Sequence, residues 1–175
     1  MMLEEFTPLS LIQRFKASMR ATATSVSLVT STDAVGGFHG MAATSWVSIS
    51  MDPPSMLVTV NRSASVHAVI SSSGRYCLNL MRDSHSDILD RFSRSDMRHV
   101  RFDPEQWRRS TSGLPVLCGA LASQLCSVVA SFDYGTHTIF IGRVDDVILP
   151  ETSSQVSPLI WTNGSRASLA NPATV

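Results

Sequence analysis

The stretch GMAATSWVSISMDPP, residues 40–54, alternates like a β-strand and stops at Asp52-Pro53-Pro54. Extended backbone sends successive side chains to opposite faces. Met41, Ala43, Ser45, Val47, Ile49 and Met51 then share one face; Ala42, Thr44, Trp46, Ser48 and Ser50 share the other. The first face is largely apolar and is expected to pack on a core. The second sets a row of hydroxyls beside one tryptophan. The wet side of an antiparallel sheet accounts for hydroxyls with no further role. A bound phosphate and a flat ring account for the hydroxyls and the tryptophan together.

Outward from this strand, AVGGFHG (34–40) is a turn-former that joins it to the β-branched TSVSLVTS (24–31) as a hairpin. Upstream, Ser10 and Gln13 have the spacing of a capping box, with Ile12, Phe15 and Met19 on one helical face. Downstream, SMLVTV (55–60) reads as a buried strand ended by Asn61-Arg62-Ser63. A helix is expected over 65–72, with Val66, Val69 and Ile70 inward and Gly74 as its stop. RYCLNLM (75–81) alternates again, and Ser84 to Asp87 repeats the capping pattern ahead of Ile88, Leu89 and Phe92. Residues 94–113 are polar and irregular, with Phe102 and Trp107 as the candidate anchors. PVLCGALASQLCSVVASFDY (115–134) is one long strand or two kinked at Gly119. HTIFIGRVDDVIL (137–149) follows across the Gly135-Thr136 turn, and PLIWTNG (158–164) is a last strand and turn. Many short strands at hairpin spacing with few helices describe an antiparallel barrel or sandwich, not a βαβ fold.

A chain of 175 residues with 43% apolar content fits one domain, its core over about residues 10–165. Fourteen basic residues balance fourteen acidic ones, so nothing in the charge attracts nucleic acid or an anionic membrane surface. The charged share is only 16%, which suits a surface partly covered by a second copy of the chain. Cys77, Cys118 and Cys126 form no CxxC pair and read as reduced thiols of a cytoplasmic protein. MMLEEFTPLSLIQRF (1–15) lacks the basic start and apolar block of a signal peptide, and no apolar run approaches the ~20 residues of a membrane-spanning helix.

Several chemistries lack their sequence marks. Gly36-Gly37 does not make GxGxxG, and neither GxxxxGK[ST] nor GxSxG occurs. Histidines 39, 67, 85, 99 and 137 are scattered without metal-ligand spacing, so no metal site is expected. Asn61-Arg62-Ser63 alone is a turn with hydrogen-bonding side chains, and a lone histidine after a glycine turn is ordinarily a surface residue.

Taken in order, RFKASMRATATSVSLVTS, HGMAATSWVSISMDPPSMLVTVNRSASVH, GRYCLNLMRDSHSDILDRFS, FDPEQWRRSTSGLPVLCGALASQLC, GTHTIFIGRV and PLIWTNG span most of the chain. In that order they resemble the flavin reductase family, the split-barrel reductase components of two-component flavin-dependent monooxygenases. The segment Gly40–His67 carries the resemblance most specifically. It implies a mainly β fold, a six-stranded antiparallel Greek-key split barrel with peripheral helices, assembled as a homodimer. It implies hydride transfer from NADH or NADPH to FMN or FAD, with reduced flavin passed to a partner monooxygenase. Ala43, Thr44, Ser45, Trp46 and Val47 match positions that hold the edge of the flavin ring, with Trp46 as apolar cover. Ser48 and Ser50, with Asn61, Arg62 and Ser63, match those that hold its phosphate and ribityl chain, and Arg62 supplies the neutralising charge. His67 closes the same flavin-binding segment. His137 matches the catalytic histidine of a Gly-Asp-His turn on the nicotinamide side. The chain departs from the family pattern at Thr136 in place of the acidic residue, at Leu125 before Cys126, and at Trp161 in place of a tyrosine. Two other readings stay open on this fold: a non-catalytic flavin- or haem-binding protein, and a flavin oxidase of a small substrate.

Overall fold

Residues 9–150 and 157–169 are described by the structure, a computed structural model; the first eight residues of the segment read above as no signal peptide lie outside them. The chain opens with α1 (Leu11–Arg20), where the Ser10 hydroxyl accepts from the Gln13 amide and the Gln13 side chain accepts from the Ser10 amide. Strands β1 (Thr24–Ser25), β2 (Ser27–Thr32), β3 (Phe38–Ala43), β4 (Trp46–Met51) and β5 (Pro54–Asn61) follow. Next come α2 (Ser65–Ser73), β6 (Arg75–Leu80) and α3 (Ser86–Ser93), then a short hairpin, β7 (Trp107–Arg109) with β8 (Pro115–Leu117). The long strands β9 (Ala122–Tyr134) and β10 (His137–Ile148) precede a terminal hairpin, β11 (Ile160–Thr162) with β12 (Ser165–Ala167). That last turn is Asn163-Gly164, both at positive φ (51° and 77°), as a two-residue hairpin of this sequence requires. No helix among the described residues is long and apolar enough to cross a membrane.

Seven strands pair antiparallel in the order β3-β2-β6-β9-β10-β5-β4. A flat sheet of this width would hold its outer strands about 29 Å apart. Yet those strands, β3 and β4, are joined through Thr44 and Ser45 alone, and three Cα steps span at most about 11 Å. The sheet therefore has to curl into a barrel. The expected split barrel is present, with seven strands in the sheet where six were expected. The count rises because the stretch 40–51, read as one strand, bends at Thr44-Ser45 and contributes two.

That bend also inverts the expected faces. Met41 and Ala43 point into the barrel beside Val29, but the next inward residue is Trp46, paired with the fully buried Val58. One residue is slipped at the corner, and a slip of one exchanges the faces of everything beyond it. Val47, Ile49 and Met51, expected on the core, are exposed instead. A bulge between Ser48 and Ser50 perturbs the register again.

Inside the barrel lie Val29, Met56, Val58, Val60, Tyr76, Leu78 and Phe140, and α2 plugs it with Val66 and Ile70. The stop at Gly74 is left-handed (φ 66°), as expected. Gly142 is needed because a Cβ there would collide with the ring of Tyr76, whose hydroxyl donates to the Met56 carbonyl. Outside the barrel, Ile88, Leu89 and Phe92 of α3 join Val26, Leu28, Met81 and Trp107. The Ser84 cap is not used: a 3-10 turn over Asp83–His85 precedes α3, and the Arg82 amide donates to His85 Nδ1. The long segment 115–134 is two strands, with Gly119 at φ 72° in the break. Within the irregular stretch 94–113 only Trp107–Arg109 is extended, and Trp107 packs with Phe92 and Phe102.

Asn79 ties these outer layers to the sheet. It is fully buried on β6; its Oδ1 accepts from the Leu117 amide (2.9 Å) and the Ser123 hydroxyl (2.8 Å). Its amide group faces Thr30 Oγ1 at 3.0 Å and the Leu28 carbonyl at 3.2 Å. One side chain thus satisfies groups on β2, β8 and β9. Asn79→Ala strands several of them without water, at about 1–3 kcal/mol for an orphaned buried group. We expect at least about 3 kcal/mol of destabilisation, read as a lower urea midpoint at unchanged m; a loss under about 1 kcal/mol would show the network to be dispensable.

Candidate active site

Three segments converge where β5 ends. The Asn61 side chain accepts from the amide and the hydroxyl of Ser63 (2.9 and 2.8 Å), a local turn that asparagine favours. The chain then enters α2 through Ala64, which offers no side-chain cap. The His67 amide donates to the Ala64 carbonyl at 2.9 Å, which leaves the Ser65 and Val66 amides as the helix-start donors that could receive an anion. Beside this turn stands the β9–β10 hairpin, closed by Gly135 (φ 55°) and Thr136. Its register sets His137 between Tyr134 on one side and Asn61 on the other. His137 is exposed, and its Nδ1 lies 2.9 Å from Thr136 Oγ1.

The barrel corner reaches the same end of β5. Ser45 exchanges two hydrogen bonds with Thr59: its carbonyl accepts from the Thr59 amide and its hydroxyl donates to the Thr59 carbonyl. Thr59 is two residues from Asn61, about 7 Å along the strand. On the other side of the corner an open cleft is lined by Val26, Ala42, Ala43, Thr44, Leu89, Ser93 and Trp161. Its walls are apolar with two hydroxyls, a composition suited to a flat aromatic ring with a polar edge.

Ala43, Thr44, Ser45, Asn61, Arg62, Ser63, His67 and His137 are therefore gathered around the corner and the end of β5. Ser48 and Ser50 are not. They pair with Met56 and Ser55, five and six residues before Asn61, about 17 and 20 Å along β5. One phosphate cannot be held by both groups. Trp46 turns into the barrel core, where its Nε1 is buried without a hydrogen-bond partner among the described residues. Val47 faces outward, 51% exposed. Arg62, expected on a phosphate, instead directs its Nη2 to the Gly135 carbonyl and sets its Nη1 3.7 Å from Asp133.

Residues not singled out from sequence complete the site: Val26, Leu89 and Ser93 in the cleft, and Asp133 and Thr138 at the base of the hairpin, where the Thr138 hydroxyl donates to Asp133. Hairpin arithmetic could have found the last two, since a two-residue turn at 135–136 sets 133 opposite 138.

The outer face of β4, β5, β10 and β9 adjoins His137. Val47, Ile49, Met51 and Phe132 are exposed on or beside it, and α1 exposes Leu11, Ile12, Phe15 and Met19.

A curled antiparallel sheet plugged by one helix, with an open cleft at its corner, defines a split barrel. The family model described as the flavin reductase like domain matches residues 19–170, and the chain belongs to the flavin reductase family. It is a flavin reductase. The chain is 32% identical over 173 residues to the reductase component of the FADH(2)-dependent resorcinol hydroxylase of Rhizobium sp. (strain MTP-10005), covering 98% of this chain and 94% of that one. It is 35% identical over 133 residues to the FMN reductase (NADH) RutF of Pseudomonas syringae pv. syringae (strain B728a), covering 76% and 74% respectively. The styrene monooxygenase flavin reductase of Pseudomonas putida S12 superposes with a TM-score of 0.80 at 28% identity, over 91% of this chain and 99% of that one.

Proposed function

We propose that the protein takes hydride from NADH, reduces FMN or FAD as a diffusible substrate, and supplies the reduced flavin to a separate flavin-dependent monooxygenase in the cytoplasm. The observation that supports this reading is the arrangement about the Thr44-Ser45 corner, with an open cleft on one side and the Asn61 turn and exposed His137 on the other. Flavin bound there supplies the hydride acceptor, and reduced nicotinamide the donor.

The chain's own part is alignment. Ala43 and Thr44 floor the cleft for the ring, and Ser45, bonded to Thr59, keeps the corner rigid. Asn61, Ser63 and the first turn of α2 receive the phosphate. His137 places the nicotinamide, because hydride transfer needs close, aligned approach rather than an acid at the donor carbon. The cleft is open, as suits a flavin that enters and leaves. The relatives' names include both an FADH(2)-dependent system and an FMN reductase (NADH), which supports either flavin as substrate and NADH as donor. Three free cysteines fit a reducing compartment. The exposed apolar face beside His137, together with that of α1, supports a homodimer with the flavin near the interface.

NADH oxidation by the purified protein should depend on added FMN or FAD; flavin binding with no turnover would make the protein a carrier or sensor instead. Light scattering at micromolar concentration should report a dimer, and a monomer there would count against the covered face. His137→Ala should lower kcat/KM for NADH by roughly tenfold to a hundredfold while leaving flavin affinity within about twofold. Collapse of flavin binding with normal turnover at saturating flavin would move His137 to the flavin side.

A further inference from the structure

Arg62 stands on the loop assigned above to the flavin phosphate, yet both terminal nitrogens of its guanidinium face the β9–β10 hairpin. Nη2 donates to the Gly135 carbonyl, and Nη1 lies 3.7 Å from Asp133 Oδ2. The Arg62 amide donates to the Thr136 carbonyl at 3.0 Å. A second line of contacts runs from the same carboxylate. Asp133 Oδ1 accepts from the Thr138 hydroxyl, and Thr138 Oγ1 lies 2.8 Å from His67 Nε2. Thr138 has one hydroxyl proton and gives it to Asp133, so His67 Nε2 is the donor in the last contact. The His67 Nε2–H tautomer is thereby selected by Asp133 from two hydrogen bonds away. Thr138 is 3% exposed and the His67 ring packs at a tilt on Phe140, so the Thr138–His67 contact is shielded from water while the Asp133 carboxylate at the other end is exposed.

We propose that Asp133 is a positioning residue, the anchor of a clamp that holds the hairpin tip, and His137 with it, against the Asn61–His67 segment. Arg62 belongs to this clamp and is not a phosphate ligand. The proposal rests on the reading that flavin phosphate and nicotinamide lie on the two segments so joined. The Arg62–Asp133 pair is half exposed and by itself orders little. The order comes from hydrogen bonds that share partners: the Gly135 and Thr136 carbonyls on one arm, the buried Thr138 hydroxyl on the other. Strand pairing already holds β10 to β5 as far as His137 and Asn61, so what the clamp adds is a fixed Gly135-Thr136 turn and fixed side chains at the end of that ladder. The two substrate positions are then one mechanical unit, and loosening either arm disturbs both.

The test compares Arg62→Ala, Asp133→Ala and the double variant by steady-state NADH oxidation at saturating flavin. Parallel titrations use FMN and riboflavin, and imidazole ¹⁵N shifts report the His67 tautomer. Each single variant should lower kcat/KM for NADH about tenfold. Each should weaken FMN and riboflavin by the same factor, within about twofold, since no phosphate contact is lost. The double variant should be no worse than the poorer single one, as residues of one unit are not additive. His67 should leave the pure Nε2–H tautomer in Asp133→Ala and keep it in Arg62→Ala.

An FMN loss about tenfold beyond the riboflavin loss in Arg62→Ala would return Arg62 to the phosphate and overturn its assignment. Unchanged NADH kinetics in Asp133→Ala, or additive losses in the double variant, would overturn the clamp. If the wild type oxidises no NADH, the functional reading fails, and the His67 tautomer still decides the clamp: no change in Asp133→Ala refutes it. Should Asp133→Ala not fold, the near-isosteric Thr138→Val breaks the same chain and is held to the same tautomer and NADH criteria.

Discussion

Thr44 and Ser45 carry the constraint on which the rest of the molecule depends. They join the two strands that stand at opposite ends of the hydrogen-bonded order, so the sheet between them has to close on itself. The same two residues displace the alternation by one position, which turns Trp46 inward and Val47 outward. They also bring the cleft beside Ala43 within a short reach of the turn at Asn61, because Ser45 is bonded to Thr59. Closure, choice of faces and placement of the site are one geometric event.

The layers on either side of the sheet divide the work. Tyr76, Phe140 and the α2 residues Val66 and Ile70 fill the barrel. Outside, α3 and the β7–β8 hairpin are held by aromatic packing of Phe92, Phe102 and Trp107 and by the buried amide of Asn79. The cleft borrows Ala43 from the barrel and Val26 and Leu89 from the outer layer. The remainder of the site is built at strand ends and turns, where backbone groups and side chains face solvent while their strands stay anchored.

Local signals in the sequence were reliable because local contacts produce them. The Ser10–Gln13 capping box, the helix stop at Gly74, the 34–40 turn and the Asn163-Gly164 turn each depend on a few adjacent residues. Reading past Thr44-Ser45 failed for a physical reason: alternation holds only while the backbone stays extended, and nothing in that pair of small hydroxyl residues announces a corner. Ser84 was expected to cap a helix, but Arg82 and His85 settle the turn through a bond that periodicity does not reveal. In the site, His137 and the Asn61 turn were legible as residue types in a familiar order. The use of Arg62 was not, because its partners, Gly135 and Asp133, lie more than seventy residues away in the chain.

The bulge between Ser48 and Ser50 bears on how the open edge of the sheet meets other chains. β4 is an edge strand with outward apolar side chains, the kind of surface that invites other chains to add on as ribbons. Ribbon growth needs several evenly spaced backbone groups in a row. Here the bulge breaks the spacing midway, and two prolines without amide protons follow at once. The stickiness of the face remains available to a shaped partner, while the backbone beneath it makes a poor template for fibres.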